Sequence, residues 1–304
     1  MDSLDKKRKY IADLGLLFVA AVWGGGFVAT KNALNALTPM YLTSIRFIIA
    51  TMILYGFFHR RIGKLTKNDV KKASIVGFFL FLGFATQTYG LQFTTASKQG
   101  FLTATYVVMV PLLYWVLYRK RPKLKAFTGS LLTLVGIAFI SLESNFSLNI
   151  GDSLTLFCAI FYAAHIISIE YFAREMDVFK LAFIQIFVAA ILSTLTAFIM
   201  EPLPLAINSG AWAAIMYLAF FSTFLCFTIQ TLAQKYTSSS HASIIMSLES
   251  VFSAIFGVMI LKEKMSSMVL AGCLFIFIAI LIVEIEFKSF KSPKTDLVKK
   301  CTID

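Results

Sequence analysis

The feature that most constrains this chain is a succession of apolar runs, each about 20 residues long, joined by short polar connections from residue 11 to residue 286. A hydrocarbon layer of about 30 Å needs roughly 20 apolar residues per helix. Within it every backbone N–H and C=O must find a partner inside the chain, so runs of this length are read as helices. Ten segments fit: 11–30, 39–58, 73–91, 99–118, 126–142, 152–172, 181–200, 211–234, 241–261 and 268–286. Segment 126–142 is the shortest, and Gly129 and Gly136 would let it pack closely on a neighbour. The connections leave no room for a soluble domain.

Composition agrees. Charged residues make up 14% of the chain, hydrophobic residues 58%, and the mean hydropathy is +0.79. A soluble domain carries about 25% charged residues, so the outer face is expected to meet a lipid bilayer. The net charge of +12 does not point to nucleic acid, because the basic residues lie in short clusters between apolar runs and no recognition motif accompanies them. With a cytoplasmic N-terminus, 23 of the 28 Lys and Arg fall on the cytoplasmic side. Lys31, Lys98, Lys262 and Lys264 fall outside, and Arg46 lies within the membrane. Such a bias sets orientation, and an even helix count returns the C-terminus to the cytoplasm. Lys6 to Lys9 precede a long run with no small-x-small cleavage site, so the first helix is read as uncleaved. Cys158, Cys226 and Cys273 sit in apolar runs and Cys301 in the basic tail, with no spacing for a disulfide framework or metal site. Asp304 is a poor last residue for a prenylation box at Cys301, and Asn145-Phe146-Ser147 fits a glycosylation acceptor only by a common pattern.

The chain repeats itself. At an offset of 139, Asp13 matches Asp152, Leu17-Phe18 match Leu156-Phe157, Trp23 matches Tyr162, and Ile45-Arg46 match Ile184-Gln185. At an offset of 143, Gln87-Thr88 match Gln230-Thr231, Tyr106 matches Glu249, Arg119 to Arg121 match Lys262 to Lys264, and Gly129 matches Gly272. A repeat of five helices is odd, so the second copy must enter the membrane upside down. The expected fold is therefore all-α integral membrane: ten transmembrane helices as two inverted five-helix repeats, 11–142 and 143–286. A cytoplasmic N-terminal segment (1–10) and a basic cytoplasmic tail (287–304) flank them. Inverted repeats are an alternating-access architecture with the substrate site near the midplane between halves.

Several stretches then stand in a familiar order: Val22 to Lys31, Ser44 to Ala50, Tyr89 to Lys98, Ala233 to Ser240, Leu248 to Phe252 and Leu261 to Glu263. In order and spacing they resemble the EamA-type branch of the drug/metabolite transporter superfamily over residues 11–286. The resemblance implies ten helices in two halves and transport, often outward, of amino acids, related metabolites or drugs. Ser250 stands where that family often has Pro, which leaves a kink in the ninth helix open.

Charge inside a bilayer is costly, about 2.5–3.5 kcal/mol or more per group, so intramembrane ionisable residues are the first site candidates. Glu249 suits a proton-coupling carboxylate or a counter-ion to an ammonium group, against a purely structural hydrogen bond. Arg46 keeps its proton and is read as a structural or gating pair, with a substrate carboxylate as the competing partner. His165 suits a proton shuttle or a neutral core residue bonded to a backbone carbonyl. Trp23 and Tyr162, matched and deep, would stack a substrate ring or cation. Gln87 and Gln230, also matched, would line the pathway, and Tyr106 faces the cavity if Glu249 does. The substrate-binding candidates are thus Trp23, Gln87, Tyr106, Tyr162, Gln230 and Glu249; the coupling or gating candidates are Glu249, His165 and Arg46. Lys31 and Lys98 read as snorkelling anchors, and Asp13 and Asp152 as helix caps.

No catalytic, metal-binding, cofactor or nucleotide-binding motif occurs, so the chain reads as no enzyme, without cofactor, and driven by a gradient. The expected function is a secondary transporter, an exporter of amino acids or related polar metabolites in the plasma membrane. Its partners are then a small-molecule substrate and the lipid bilayer, with a homodimer left open. Efflux of cationic aromatic drugs competes with this reading. From another class, so do a membrane enzyme, a lipid-handling protein and a sensor, though none of these needs two-fold alternation.

Overall fold

A computed structural model describes residues 3–119, 124, 128, 129, 131–133, 135, 136, 139, 149–204 and 209–284. The expected helix 126–142 falls largely outside these, and Asn145 and the basic tail 287–304 wholly so.

Within them the chain is helical: α1 (Ser3–Ala33), α2 (Pro39–Ile62), α3 (Lys67–Leu91), α4 (Ala96–Ala104), α5 (Tyr106–Tyr118), α6 (Ile150–Ala173), α7 (Val178–Met200), α8 (Ser209–Tyr217), a π-helical segment (Leu218–Leu225), α9 (Cys226–Gln234), α10 (Ser239–Ser247), α11 (Glu249–Leu261) and α12 (Ser267–Glu284). Eight helical stretches are long and apolar enough to cross a membrane, counting α4 with α5, α8 through α9, and α10 with α11 as one each; a further apolar helix begins at Ser267. Their outer face is greasy: Ile199 is 81% exposed, Val116 73% and Phe57 70%. Buried polar residues, Arg46, Gln185, Gln230 and Glu249 among them, sit inside instead. This distribution suits lipid outside and a polar pathway within.

Two of the expected helices are each broken once, at corresponding places. Thr105 N bonds Leu102 O (3.2 Å) and Val108 N bonds Thr105 O (3.0 Å), three residues back rather than four. At an offset of 143, Leu248 N bonds Ile245 O (3.3 Å) and Val251 N bonds Leu248 O (3.0 Å). Hydroxyls bonding back to carbonyls three residues earlier accompany both breaks: Thr105 to Leu102 (2.7 Å), Ser247 to Ile244 (2.6 Å) and Ser250 to Ser247 (2.8 Å). Such side-chain bonds compete with the helical ladder and bend it. The ninth predicted helix therefore breaks without proline at position 250. The broken helices also start alike, with Thr95 and Ser238 as N-caps, and end alike on left-handed Arg119 (φ 54°) and Lys262 (φ 55°).

Corresponding helices run antiparallel. The end of α7 meets the start of α2, where Glu201 accepts from Met40 N (3.0 Å) and Tyr41 N (3.1 Å). The start of α7 meets the end of α2, where Lys180 Nζ donates to Lys64 O (2.9 Å). The chain just past α11 meets the start of α4, where Glu263 accepts from Ala96 N (2.8 Å). Glycines permit the close crossings. A Cβ on Gly100 would clash with Ser253 of α11, and one on Gly136 would lie 2.6 Å from Ile276 and 2.7 Å from Gly272 O of α12.

Candidate functional site

Trp23 of α1 and Gln87 of α3 line one cavity with their counterparts from the second half, Tyr162 and Gln230. About 600 Å³ of space, open solvent included, lies between the atoms that line it. Trp23, Gly26, Phe27 and Thr30 come from α1, Arg46 from α2, Phe84, Gln87, Thr88 and Leu91 from α3, Gln99 from α4 and Tyr106 from α5. The second half supplies Tyr162, His165 and Ile166 from α6, Ser222 from the π-helical segment, Phe227 and Gln230 from α9, and Glu249 from α11. All eight residues singled out in the sequence line this one cavity.

Tyr106 and Glu249 are the first residues after the two helix breaks, so the breaks aim them inward. Glu249 is 3% exposed, its carboxylate is set against the Tyr106 hydroxyl, and its Oε1 has no hydrogen bond to any other described residue. Gln99 Oε1 and Gln230 Oε1 are buried with no hydrogen-bond partner among the described residues. Buried polar atoms in proteins are nearly always hydrogen-bonded, to protein, to water or to a bound molecule.

Arg46, also 3% exposed, donates from Nε to Thr223 Oγ1 (3.0 Å) and from Nη2 to Ser222 Oγ (3.1 Å), and lies 4.6 Å over the Phe84 ring. The π-helical segment makes this possible. Thr223 Oγ1 bonds Leu218 O five residues back (2.8 Å), and the widened turn turns both hydroxyls toward α2. The guanidinium of Arg46 thus bonds hydroxyls, and among the described residues no carboxylate pairs with it. His165 Nε2 meets Gln185 Oε1 at 2.8 Å, while Gln185 Nε2 donates to Thr231 Oγ1 (3.0 Å) and Thr231 donates to Phe227 O (2.6 Å). Thr231 spends its proton on the carbonyl, so the Gln185 amide must present NH₂ to it and its oxygen to His165; the histidine proton therefore sits on Nε2. Its partner is thus an amide, neither a backbone carbonyl nor a proton acceptor of the carboxylate kind.

Tyr162 donates to Gln87 Oε1 (2.9 Å), and Gln87 Nε2 donates to Thr103 (3.2 Å). Trp23 Nε1 donates to Ser222 O (2.9 Å) and its ring packs on Phe227 (5.2 Å between centroids), itself beside Phe84 (5.9 Å). The three-glycine run beside Trp23 admits protein: Phe252 lies against Gly24, the Tyr217 hydroxyl against Gly25 and Ser222 against Gly26. The cavity thus offers a carboxylate, a guanidinium, amides and a wall of aromatic rings. Among the described residues no three His, Cys, Asp or Glu cluster to hold a metal ion.

Two sequence readings are corrected. Lys98 is not a snorkelling anchor; it is buried and pairs with Asp152 at 2.8 Å. Asp13 is not a cap, since α1 starts at Ser3; it pairs with His241 at 3.1 Å. Asp152 does cap α6, sharing a capping box with Asn149. Sequence reasoning passed over Gln99, Phe84 and Phe227, which have no distinctive pattern, and Gln185, whose match to Arg46 was the available signal.

Comparison with known proteins agrees with this architecture. The model of the EamA-like transporter family matches residues 10–142 and again 149–285. An uncharacterized transporter of Archaeoglobus fulgidus is 38% identical over 279 residues, covering 92% of this chain and 87% of its own. The S-adenosylmethionine/S-adenosylhomocysteine transporter of Chlamydia muridarum is 24% identical over 269 residues, 82% of this chain and 84% of its own. A protein of solved crystal structure superposes with a TM-score of 0.71 at 17% identity, over 93% of this chain and 99% of that one, a likeness of fold alone.

Proposed function

The chain belongs to the EamA-like transporter family and is a multi-pass membrane transporter, and from that premise we propose that it exports amino acids or related polar metabolites by alternating access. Ten helices form two five-helix halves, 11–142 and 143–286, inserted in opposite senses in the plasma membrane with both termini cytoplasmic. The observation that carries this reading is the cavity itself, set where the two helix breaks deliver Tyr106 and Glu249. The shared offset of the breaks and the antiparallel course of α2 and α7 support the inversion.

Glu249 and Arg46 in one cavity favour a substrate with both an ammonium and an acidic group. The ring wall of Trp23, Phe84, Tyr162 and Phe227 favours one with an apolar or aromatic body. The Chlamydia relative is named for amino-acid derivatives that carry a ring, which accords with such a substrate. The rings beside Glu249 also suit cationic aromatic drugs, but the guanidinium in the same cavity opposes a purely cationic ligand. Glu249 and His165 act in coupling and Arg46 in holding the moving helices, and the substrate gradient or a coupled ion gradient drives transport.

Topology tests the premise of inversion. Reporter fusions after Lys64 and Glu175 are expected to read cytoplasmic, and fusions after Asn35, Asn145 and Leu203 external. A cytoplasmic reading at Asn145, between the halves, would mean that the halves enter the membrane in the same sense.

A further inference from the structure

A lysine–aspartate ion pair and a histidine–aspartate contact bracket the cavity, and the internal repeat relates them. Lys98 Nζ lies 2.8 Å from Asp152 Oδ2, and His241 Nε2 lies 3.1 Å from Asp13 Oδ1. Lys98 and His241 correspond at an offset of 143, Asp152 and Asp13 at 139. Each basic residue is on the first turn of a broken helix, α4 or α10, and each carboxylate is on the first long helix of the opposite half. Each pair therefore bridges the halves.

The pairs lie at opposite ends of α1. Lys31, at its end, donates to Leu91 O and Thr94 O (2.7 Å each), and Thr94 Oγ1 donates to Asp152 (3.2 Å), which places that end with the Lys98 pair. Asp13 is 18 residues earlier, about 27 Å along a helix rising 1.5 Å per residue. Trp23 and Thr30, which line the cavity, fall between. A second carboxylate braces the same helix start at each end. Glu263 accepts from Ser97 N (3.1 Å), and Glu170 from Ser239 N (2.7 Å).

We propose that Lys98–Asp152 is the external gate and Asp13–His241 the cytoplasmic gate of the transport cycle, two copies of one device that open in turn. This rests on the reading of the chain as an alternating-access carrier with inverted halves. A gate must join parts that separate, must lie beyond the substrate on its own side, and must have a counterpart on the other side; the two pairs meet all three conditions. They differ in strength. The side chains of the external pair are 11% and 0% exposed, those of the cytoplasmic pair 28% and 29%. Water screens the second pair more, and His241 carries a charge only when protonated, so the empty carrier rests with its external gate shut and opens first toward the cytoplasm, as an exporter loading its substrate requires.

The test reads cavity access from each side. In a background with Cys158, Cys226, Cys273 and Cys301 replaced by Ser, Thr30→Cys supplies a reporter, labelled by a membrane-impermeant maleimide in right-side-out and inside-out vesicles. Lys98→Gln is expected to raise the labelling rate from outside by about fivefold or more, the lower end of ordinary coupling between sites, and to lower it from inside. Asp13→Asn is expected to do the reverse. Lys98→Gln is preferred to Asp152→Asn because Asp152 also caps α6. Should Lys98→Gln fail to fold, Asp13→Asn decides alone, since inside labelling must rise while outside labelling falls. Unchanged rates, or the same change from both sides, in a folded protein whose fusions map as inverted overturn the gates. Fusions that place Lys98 and His241 on the same side overturn the inverted reading instead.

Discussion

Glu249→Gln is expected to insert and fold like its parent and to lose net transport by about a hundredfold, the scale on which removing a proton-handling carboxyl acts. The substitution keeps the shape and most of the hydrogen-bonding capacity while removing the charge. Glu249 begins α11 at the break in the ninth predicted helix, lines the cavity, and is nearly wholly buried. If it couples protons, exchange of substrate across the membrane survives better than uphill flux, because exchange never returns an empty, deprotonated carrier. If it is the counter-ion of the substrate ammonium, binding fails in both assays. Under the coupling reading the parent's rate should vary with pH and the variant's should vary less, by whatever His165 alone contributes. Wild-type transport by Glu249→Gln across about pH 5.5–8, a range that spans the ordinary switching window of histidine and of a buried carboxyl, would make the carboxylate structural.

Arg46→Ala is expected to lower stability by about 3 kcal/mol or more, from two charge-assisted hydrogen bonds at ~1.5–3 kcal/mol each. Removing the guanidinium strands the hydroxyls of Ser222 and Thr223 on a π-helical segment whose wide turn exists to meet it. Arg46→Lys keeps the charge but cannot reproduce both bonds with one ammonium in the same plane, so it should fall between. Thermal unfolding in detergent, read by the loss of monodisperse protein, measures the effect. Normal unfolding with a selective loss of acid-bearing substrates would assign Arg46 to substrate carboxylates alone.

Much of this was legible in the sequence because the bilayer simplifies the code. Lipid demands long apolar helices, so run length located the eight spans found among the described residues; the Ile150–Ala173 helix overruns its expected ends by two residues and one, while α3 starts six residues early and α1 eight. Burying charge in lipid is expensive, which made Glu249 and Arg46 conspicuous, and the repeat offset tied Tyr106 to Glu249 before any geometry was known. What escaped was local backbone. The breaks at Thr105 and Leu248 arise from hydroxyls bonding back to carbonyls, a competition too evenly balanced to read from residue type, and the absence of proline at Ser250 pointed the other way. The π-helical segment has no signature at all. Lys98 and Asp13 were misread for another reason. A charge near a helix end looks the same whether it reaches for water or for a partner on the opposite half, and only the paired offsets, 139 for the acids and 143 for the cations, separate the two cases.

The central claim is that this chain moves zwitterionic metabolites through the cavity between its halves. The most direct measurement is flux in proteoliposomes holding the purified protein, screened with radiolabelled amino acids and with cationic aromatic dyes, with and without an imposed proton gradient. The account predicts saturable flux of at least one amino-acid-like solute, driven by a gradient and lost in Glu249→Gln. Flux of cationic dyes alone, or none above protein-free vesicles from folded protein, would contradict it.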